Sequence, residues 1–221
     1  MILTGAEHSL QVEDHRGGYN PMSDPVIRLE HILLRPLALS DAMHFANLLG
    51  PDPVDTRMTS SIPYPCTEDA ARIWIGRRIG PGALGRSFAI IHGEHSKFIG
   101  AIAFGGILEI GIGYQVCRPY RVHGYATEAV HLLLGYIAGL GISRMISETL
   151  PDNPASARAL SKAGFEFLGK KVRGVPVHGG LSEVERYGVE LVARPHQLRG
   201  RILRMDRSQA ASDGPQAAYD L

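Results

Sequence analysis

Tyr120-Arg121-Val122-His123-Gly124-Tyr125-Ala126-Thr127-Glu128-Ala129 stands between an apolar run, Ile110 to Val116, and a long helical pattern. An Arg, a Gly and a small residue spaced R-x-x-G-x-A at a strand-to-helix turn form a cradle for phosphate. The backbone N–H groups of such a turn converge on one point, and the helix N-terminus adds positive potential there. Gly124 lets the backbone approach a ligand with no Cβ in the way. The stretch points to a pyrophosphate ligand.

Outward from the turn, the following helix has apolar residues at Ala126, Ala129/Val130, Leu133/Leu134 and Ile137/Ala138, a 3.6-residue period, and stops at Gly139 and Gly141. Residues 142–150 read as a strand. Asn153 caps a further helix with Pro154 at its first position and Gly164 just past its end. Residues 165–172 and 187–192 read as the last strands. Upstream, Val26 to Leu34 is a first strand, and Ser40 caps a helix over Asp41 to Leu49. Thr67 caps a second helix whose inward residues are Ala70, Ala71, Trp74, Ile75 and Ile79. Residues 87–91 and 98–104 flank a hairpin turn at His92-Gly93-Glu94-His95, and a third strand runs from about Leu108 to Val116. The order β-α-α-β-β-β-α-β-α-β-β predicts an α+β fold with a mixed, mostly antiparallel central sheet and helices on both faces.

The chain of 221 residues has room for one well-cored domain with tails. Residues 1–24 are polar and without periodicity and read as a flexible leader, leaving a body of 25–194. Residues 195–221 begin basic (Arg199, Arg201, Arg204, Arg207) and end polar, reading as a short basic helix and a solvated tail; a segment that caps a homodimer or binds a partner is the alternative. A formal charge of +1 gives no electrostatic case for nucleic acid or an anionic membrane. No apolar run reaches the roughly 20 residues that span a bilayer, and the N-terminus lacks the apolar core of a signal peptide. Cys66 and Cys117 stand far apart, read as two reduced thiols of a cytoplasmic protein, and have no metal-type spacing.

Three motifs in order carry a resemblance. Gly113-Tyr114-Gln115-Val116, then Arg121-x-x-Gly124-Tyr125-Ala126-Thr127-Glu128-Ala129, then Asn153-Pro154-Ala155-Ser156-Ala157-Arg158 with Lys162-Ala163-Gly164-Phe165, resemble the GNAT N-acetyltransferases. More narrowly, they resemble the branch that includes the bacterial ribosomal-protein N-terminal (Rim-type) acetyltransferases. The resemblance spans about residues 26 to 192. It implies acetyl-CoA as cosubstrate, no metal, and direct acetyl transfer to a primary amine in a ternary complex, with a protein N-terminus or a small molecule as acceptor.

The resemblance also implies roles. The N–H groups of Arg121, Val122, His123, Gly124, Tyr125 and Ala126 would hold the pyrophosphate, with Thr127 adding a hydroxyl. Pantetheine would pair with the strand around Tyr114 to Val116 as an added strand, and an N–H near Val116 would stabilise the oxyanion. Asn153 would bond the cofactor, and Ser156 would protonate the leaving thiolate. Many relatives use a Tyr for that step, but Leu160 stands at its position. Family members often carry Gly-Lys where this chain has Val122-His123.

From the residues themselves, Glu109 is the carboxylate on the strand before the turn and shares its parity with Gly111 and Gly113. It is the candidate general base; the other reading is a solvent-facing residue near a turn. Gly111-x-Gly113 lies inside a strand with Val116 at the third glycine position, which argues against a nicotinamide site. Residues 52–66 and 174–185 read as irregular walls for the acceptor. Two rival functions remain open: acetylation of an antibiotic or polyamine, which an acidic pocket would favour, and a sensor that binds acyl-CoA without turnover.

Overall fold

A computed structural model describes residues 9–11, 26–49, 62–80, 83–175, 179–191 and 199–203. Ten strands form one sheet: β1 (Ser9–Gln11), β2 (Val26–Arg28), β3 (Ile32–Pro36), β4 (Gly85–His92), β5 (Phe98–Gly105), β6 (Gly111–Val116), β7 (Arg144–Thr149), β8 (Glu166–Val175), β9 (Gly180–Glu190) and β10 (Arg199–Leu203). Their spatial order is β1-β10-β2-β3-β4-β5-β6-β7-β9-β8. Only β1–β10 and β6–β7 pair in parallel, so the sheet is mixed and mostly antiparallel, as the element order predicts. Among the described residues four α-helices pack on it: α1 (Ala42–Leu49), α2 (Glu68–Ile79), α3 (Tyr125–Gly139) and α4 (Pro154–Lys162).

Side-chain alternation along the strands divides the interior into two cores. Phe88 and Ile90 of β4, Ile102 of β5 and Ile112 and Val116 of β6 face α3 and α4, where Val130, Leu133, Ile137 and Leu160 meet them. Ala89 and Ile91 of β4 and Phe98 and Ala101 of β5 face α1 and α2, against Phe45, Ala71 and Ile75. The short residues on this second face let α1 and α2 sit close, and the rings of Phe45 and Trp74 lie 4.8 Å apart there. Among the described residues no helix is long and apolar enough to cross a membrane.

Several elements differ from the sequence reading. The first strand is two strands, because the chain reverses at residues 29–31 with the Leu29 N–H donating to the Ile32 carbonyl at 3.0 Å. Ser40 does not cap α1. A 3-10 turn, Leu39–Asp41, precedes the helix, and Asp41 accepts from the Ala38 N–H at 2.9 Å while gripping the Arg35 guanidinium at 2.6 and 2.8 Å. Asp41 is 2% exposed. Residues 174–185 are mostly strand, since β8 and β9 form a long hairpin paired from Glu166↔Gly188 to Val175↔Gly180. Residues 199–203, read as helical, form a strand. The leader apart from β1, most of the 52–66 wall and the end of the tail lie outside the described residues. The caps at Thr67 and Asn153 match the expectation: each side-chain oxygen accepts from the N–H three residues on, at 3.2 and 3.1 Å.

Candidate active site

β6 has two different neighbours. Along β5 it is paired over its whole length, from Gly100↔Val116 to Gly105↔Gly111. Along β7 it pairs only at Gly111↔Ile146 and Ile112↔Ser147. The pairing stops there, where the Ser147 hydroxyl donates to the Ile112 carbonyl at 3.1 Å. From Gly113 to Val116 the edge facing β7 has no strand partner, and a strand edge of this kind takes an extended, amide-bearing chain.

The quoted turn lies at the end of that free edge. A 3-10 turn, Arg118–Tyr120, leads into Val122 at φ +63° and Gly124 at φ +88°. Gly124 is the N-cap of α3 and offers no capping side chain, so the first N–H groups of the helix have no side-chain acceptor. A Cβ placed on Gly124 would meet nothing within 4 Å, so the concavity is open. Arg121 ties the turn to the strand through Nε, which donates to the Val116 carbonyl at 2.9 Å. Two contacts brace the helix start from the sheet side. Glu128 accepts from the His31 N–H at 2.9 Å, and the Tyr125 hydroxyl meets His92 Nε2 at 3.0 Å.

A cavity of about 1130 Å³ runs along this edge. It is lined by Tyr114, Val116, Arg121, Val122, Gly124, Tyr125, Ala126, Thr127, Asn153 and Ser156, so these sequence-predicted residues come together. His123 is not in the lining; its ring stacks on Tyr125, with centroids 5.7 Å apart. On the α3–α4 side, the Tyr114 hydroxyl lies 3.0 Å from Ser156 Oγ and donates to the Ser156 carbonyl at 3.2 Å. Burial pushes the Tyr114 phenol up to about 12, the hydrogen bond to Ser156 opposing it, so the phenol keeps its proton at neutral pH. Leu160 is buried in the core, away from any proton transfer. Burial also pushes the Cys66 thiol up to about 11, which keeps it protonated and unreactive.

The placement of Glu109 is corrected. It lies in the bend before β6, exposed and outside the cavity lining, and both of its oxygens accept from Arg186 Nη2 at 2.7 Å. That hydrogen bond holds its carboxyl below the usual value. The carboxylate that does line the cavity is Glu148 on β7, 16% exposed, which sequence reasoning missed. It sits opposite Arg186 on β9, contacts Arg173 Nε at 2.5 Å and lies 3.6 Å from Arg186 Nε. Ile146 and Glu148 share one face of β7. A Cβ on Gly111 would come within 3.9 Å of the Ile146 side chain, so Glu148 lies on the Gly111–Gly113 face, towards α1 and α2. Tyr114 and Ser156 lie on the other face. The cavity thus has an acid-bearing wall on one side of the sheet and a hydroxyl pair on the other. Among the described residues no group of three or more His, Cys, Asp or Glu could hold a metal ion.

Residues 31–166 match the sequence profile of the family described as an acetyltransferase (GNAT) domain. Among curated proteins, the chain is similar to the uncharacterized N-acetyltransferase YoaA of Bacillus subtilis (strain 168), with 31% identity over 34% of this chain and 46% of that protein. It is also similar to the probable N-acetyltransferase YjcK of the same organism, at 30% over 42% of this chain and 54% of that protein. The chain spans about half the length of the curated relatives it matches. Among solved structures, a GNAT-family acetyltransferase from Bacillus anthracis shares the fold with a TM-score of 0.65 at 22% identity, over 75% of this chain and 98% of that one. A ribosomal-protein-S5-alanine acetyltransferase from Vibrio fischeri does so with a TM-score of 0.63 at 18% identity, over 76% and 97%. The microcin C7 self-immunity acetyltransferase MccE, solved with acetyl-CoA and AMP, does so with 0.63 at 18%, over 73% and 93%. With the profile covering most of the folded body, the chain belongs to the GNAT acetyltransferase family.

Proposed function

We propose that this protein transfers the acetyl group of acetyl-CoA to a primary amine, by direct attack in a ternary complex. The observation that carries the reading is the unpaired edge of β6 running into the uncapped start of α3. A pyrophosphate needs converging N–H donors, and residues 121–127 offer them with a concavity that no side chain fills. Pantetheine needs an extended backbone to pair with, and Gly113 to Val116 supply it. Acetyl-CoA brings an activated thioester; the protein supplies orientation and proton handling.

The faces of the sheet assign the proton steps. We assign the base to Glu148 rather than Glu109, because Glu148 lines the cavity on the face where Gly113 leaves room for an amine. It takes the ammonium proton directly or through water. The Ser156 hydroxyl, backed by the protonated phenol of Tyr114, is the donor for the leaving sulfur. Arg173 and Arg186 hold Glu148 in place.

The test is thiol release from acetyl-CoA across amines and N-terminal peptides, with the cofactor-induced melting shift measured alongside. Acceptor-dependent release with a shift supports the reading; a shift with no release on any amine replaces it with a sensor. Gly124→Glu places a carboxylate against the pyrophosphate and should abolish the shift, and an undiminished shift would remove the phosphate from this turn. Glu148→Gln should lower kcat/KM by about 100-fold with the shift retained. Full activity in that variant would return the base to solvent.

A further inference from the structure

The end of the cavity remote from the phosphate turn is positively charged. Arg77 and Arg78, in the last turn of α2, line it beside Trp74. From there the chain passes Gly80 to Gly85, which pairs with Gly105, which pairs with Gly111 at the start of β6. The phosphate turn follows the other end of β6, and a six-residue strand spans about 17 Å. The two guanidinium groups are therefore out of place for the cofactor's pyrophosphate and well placed for the acceptor.

Neither arginine pairs with a carboxylate among the described residues. Arg78 is half-buried, lies 3.5 Å from the centre of the Trp74 ring, and donates to the Trp74 carbonyl at 3.1 Å. Burial, with Arg77 adding to it, lowers its pKa to about 10, which leaves it cationic at neutral pH. Of the other charges of the lining, Glu148, its one carboxylate among the described residues, is held by Arg173 and Arg121 donates to the Val116 carbonyl, while Arg158 and Lys162 stand on α4, on the opposite face of the sheet. A half-buried guanidinium with no carboxylate partner among the described residues favours an anionic ligand, since charge-assisted bonds are the strong ones.

The geometry points to an acceptor that carries an acid group, a carboxylate or a phosphate, besides the amine that is acetylated. Its anion is held by Arg77 and Arg78, and its apolar part lies beside Trp74. This rests on the amine-acetylating reading above and narrows it: polyamines and other polycations are disfavoured.

The experiment compares kcat/KM for matched acceptors. Free amino acids and acidic N-terminal dipeptides are set against their amides, with phosphoethanolamine as the phosphate arm and spermidine as the polycation. Acids should exceed their amides by about 10- to 100-fold. Arg77→Gln should bring the ratio towards one with the acetyl-CoA melting shift retained, and Arg77 is exposed enough for the fold to tolerate the change. A second readout needs no variant. Trp74 is the only tryptophan, so its emission should respond to an acidic amine and not to the corresponding amide. Equal or better turnover of amides or spermidine, or an acid preference that survives Arg77→Gln combined with Arg78→Gln, overturns the inference. Loss of the melting shift in the unaltered protein would instead strike the acetyl-CoA reading itself.

Discussion

Val122 sits in the left-handed region at φ +63°, and its side chain is 102% exposed. A β-branched residue has no business there on steric grounds, and an L-residue in that conformation costs roughly 1–2 kcal/mol. Full exposure means that replacing it forfeits no burial, so the strain can be measured almost alone. Val122→Asn keeps a side chain that tolerates the left-handed region and should stabilise the protein by about 1 kcal/mol. Val122→Gly relieves the same strain but adds freedom to the unfolded chain worth about 0.4–1 kcal/mol, so its net gain should be smaller. Val122→Ala keeps an ordinary L side chain and should gain least. In a chain of this size 1 kcal/mol moves Tm by about 2–4 °C. The assay is urea unfolding without cofactor, read as the midpoint at constant slope. An Asn variant no more stable than wild type, or an Ala variant that matches it, would refute the strain argument. Because the strain is present before any ligand arrives, acetyl-CoA affinity should not follow the gain in stability.

Further outcomes follow from other positions. Gly113→Val puts methyl groups where a Cβ meets nothing within 4 Å, so Tm should hold or rise while kcat/KM falls at least about tenfold; retained turnover would show that the acceptor does not pass this face. Glu109 has its folded pKa lowered from the ordinary 4.5 by the Arg186 hydrogen bond, so its stabilising contribution is present above that pH and is lost as pH falls through the lower folded value. Glu109→Gln should flatten stability against pH below about 4.5 while leaving the rise of transfer rate with pH intact; a flattened rate profile would restore Glu109 as base. Leu133→Ala empties a site that is 0% exposed in the α3 core and should cost about 2–5 kcal/mol in urea unfolding, and a cost under 1 kcal/mol would mean that the core closes over the gap.

What could be read from the chain beforehand was what local chemistry decides. The tight turn into α3, the helix period after it and the caps at Thr67 and Asn153 depend on residues within four positions of one another. The split of the first strand was hidden because apolar residues flank Arg28, Glu30 and His31 on both sides and no Gly, Pro, Asn or Asp marks the reversal. The start of α1 depends on Asp41 reaching Arg35 across a strand end, which favours it over Ser40 as the capping group. Glu148 was invisible for a different reason. Its place in the cavity is set by the parallel pairing of β6 and β7, strands separated in sequence by the whole of α3, and no local pattern encodes that register. Parity with Gly111 and Gly113 pointed to the face on which the cavity's carboxylate stands, but that carboxylate comes from the neighbouring strand.

Among the described residues the two cores, one gathered around α3 and α4 and the other around α1 and α2, are separated by the sheet, with Tyr120 packed against both. Substitutions in one can accumulate with little repacking in the other. The wall that holds the cosubstrate can stay constant through a lineage while the opposite wall is rebuilt for a new acceptor, without renegotiating the whole interior. For engineering, this makes the α1–α2 layer the part to randomise when a change of substrate is wanted, with the α3–α4 layer left untouched as chassis.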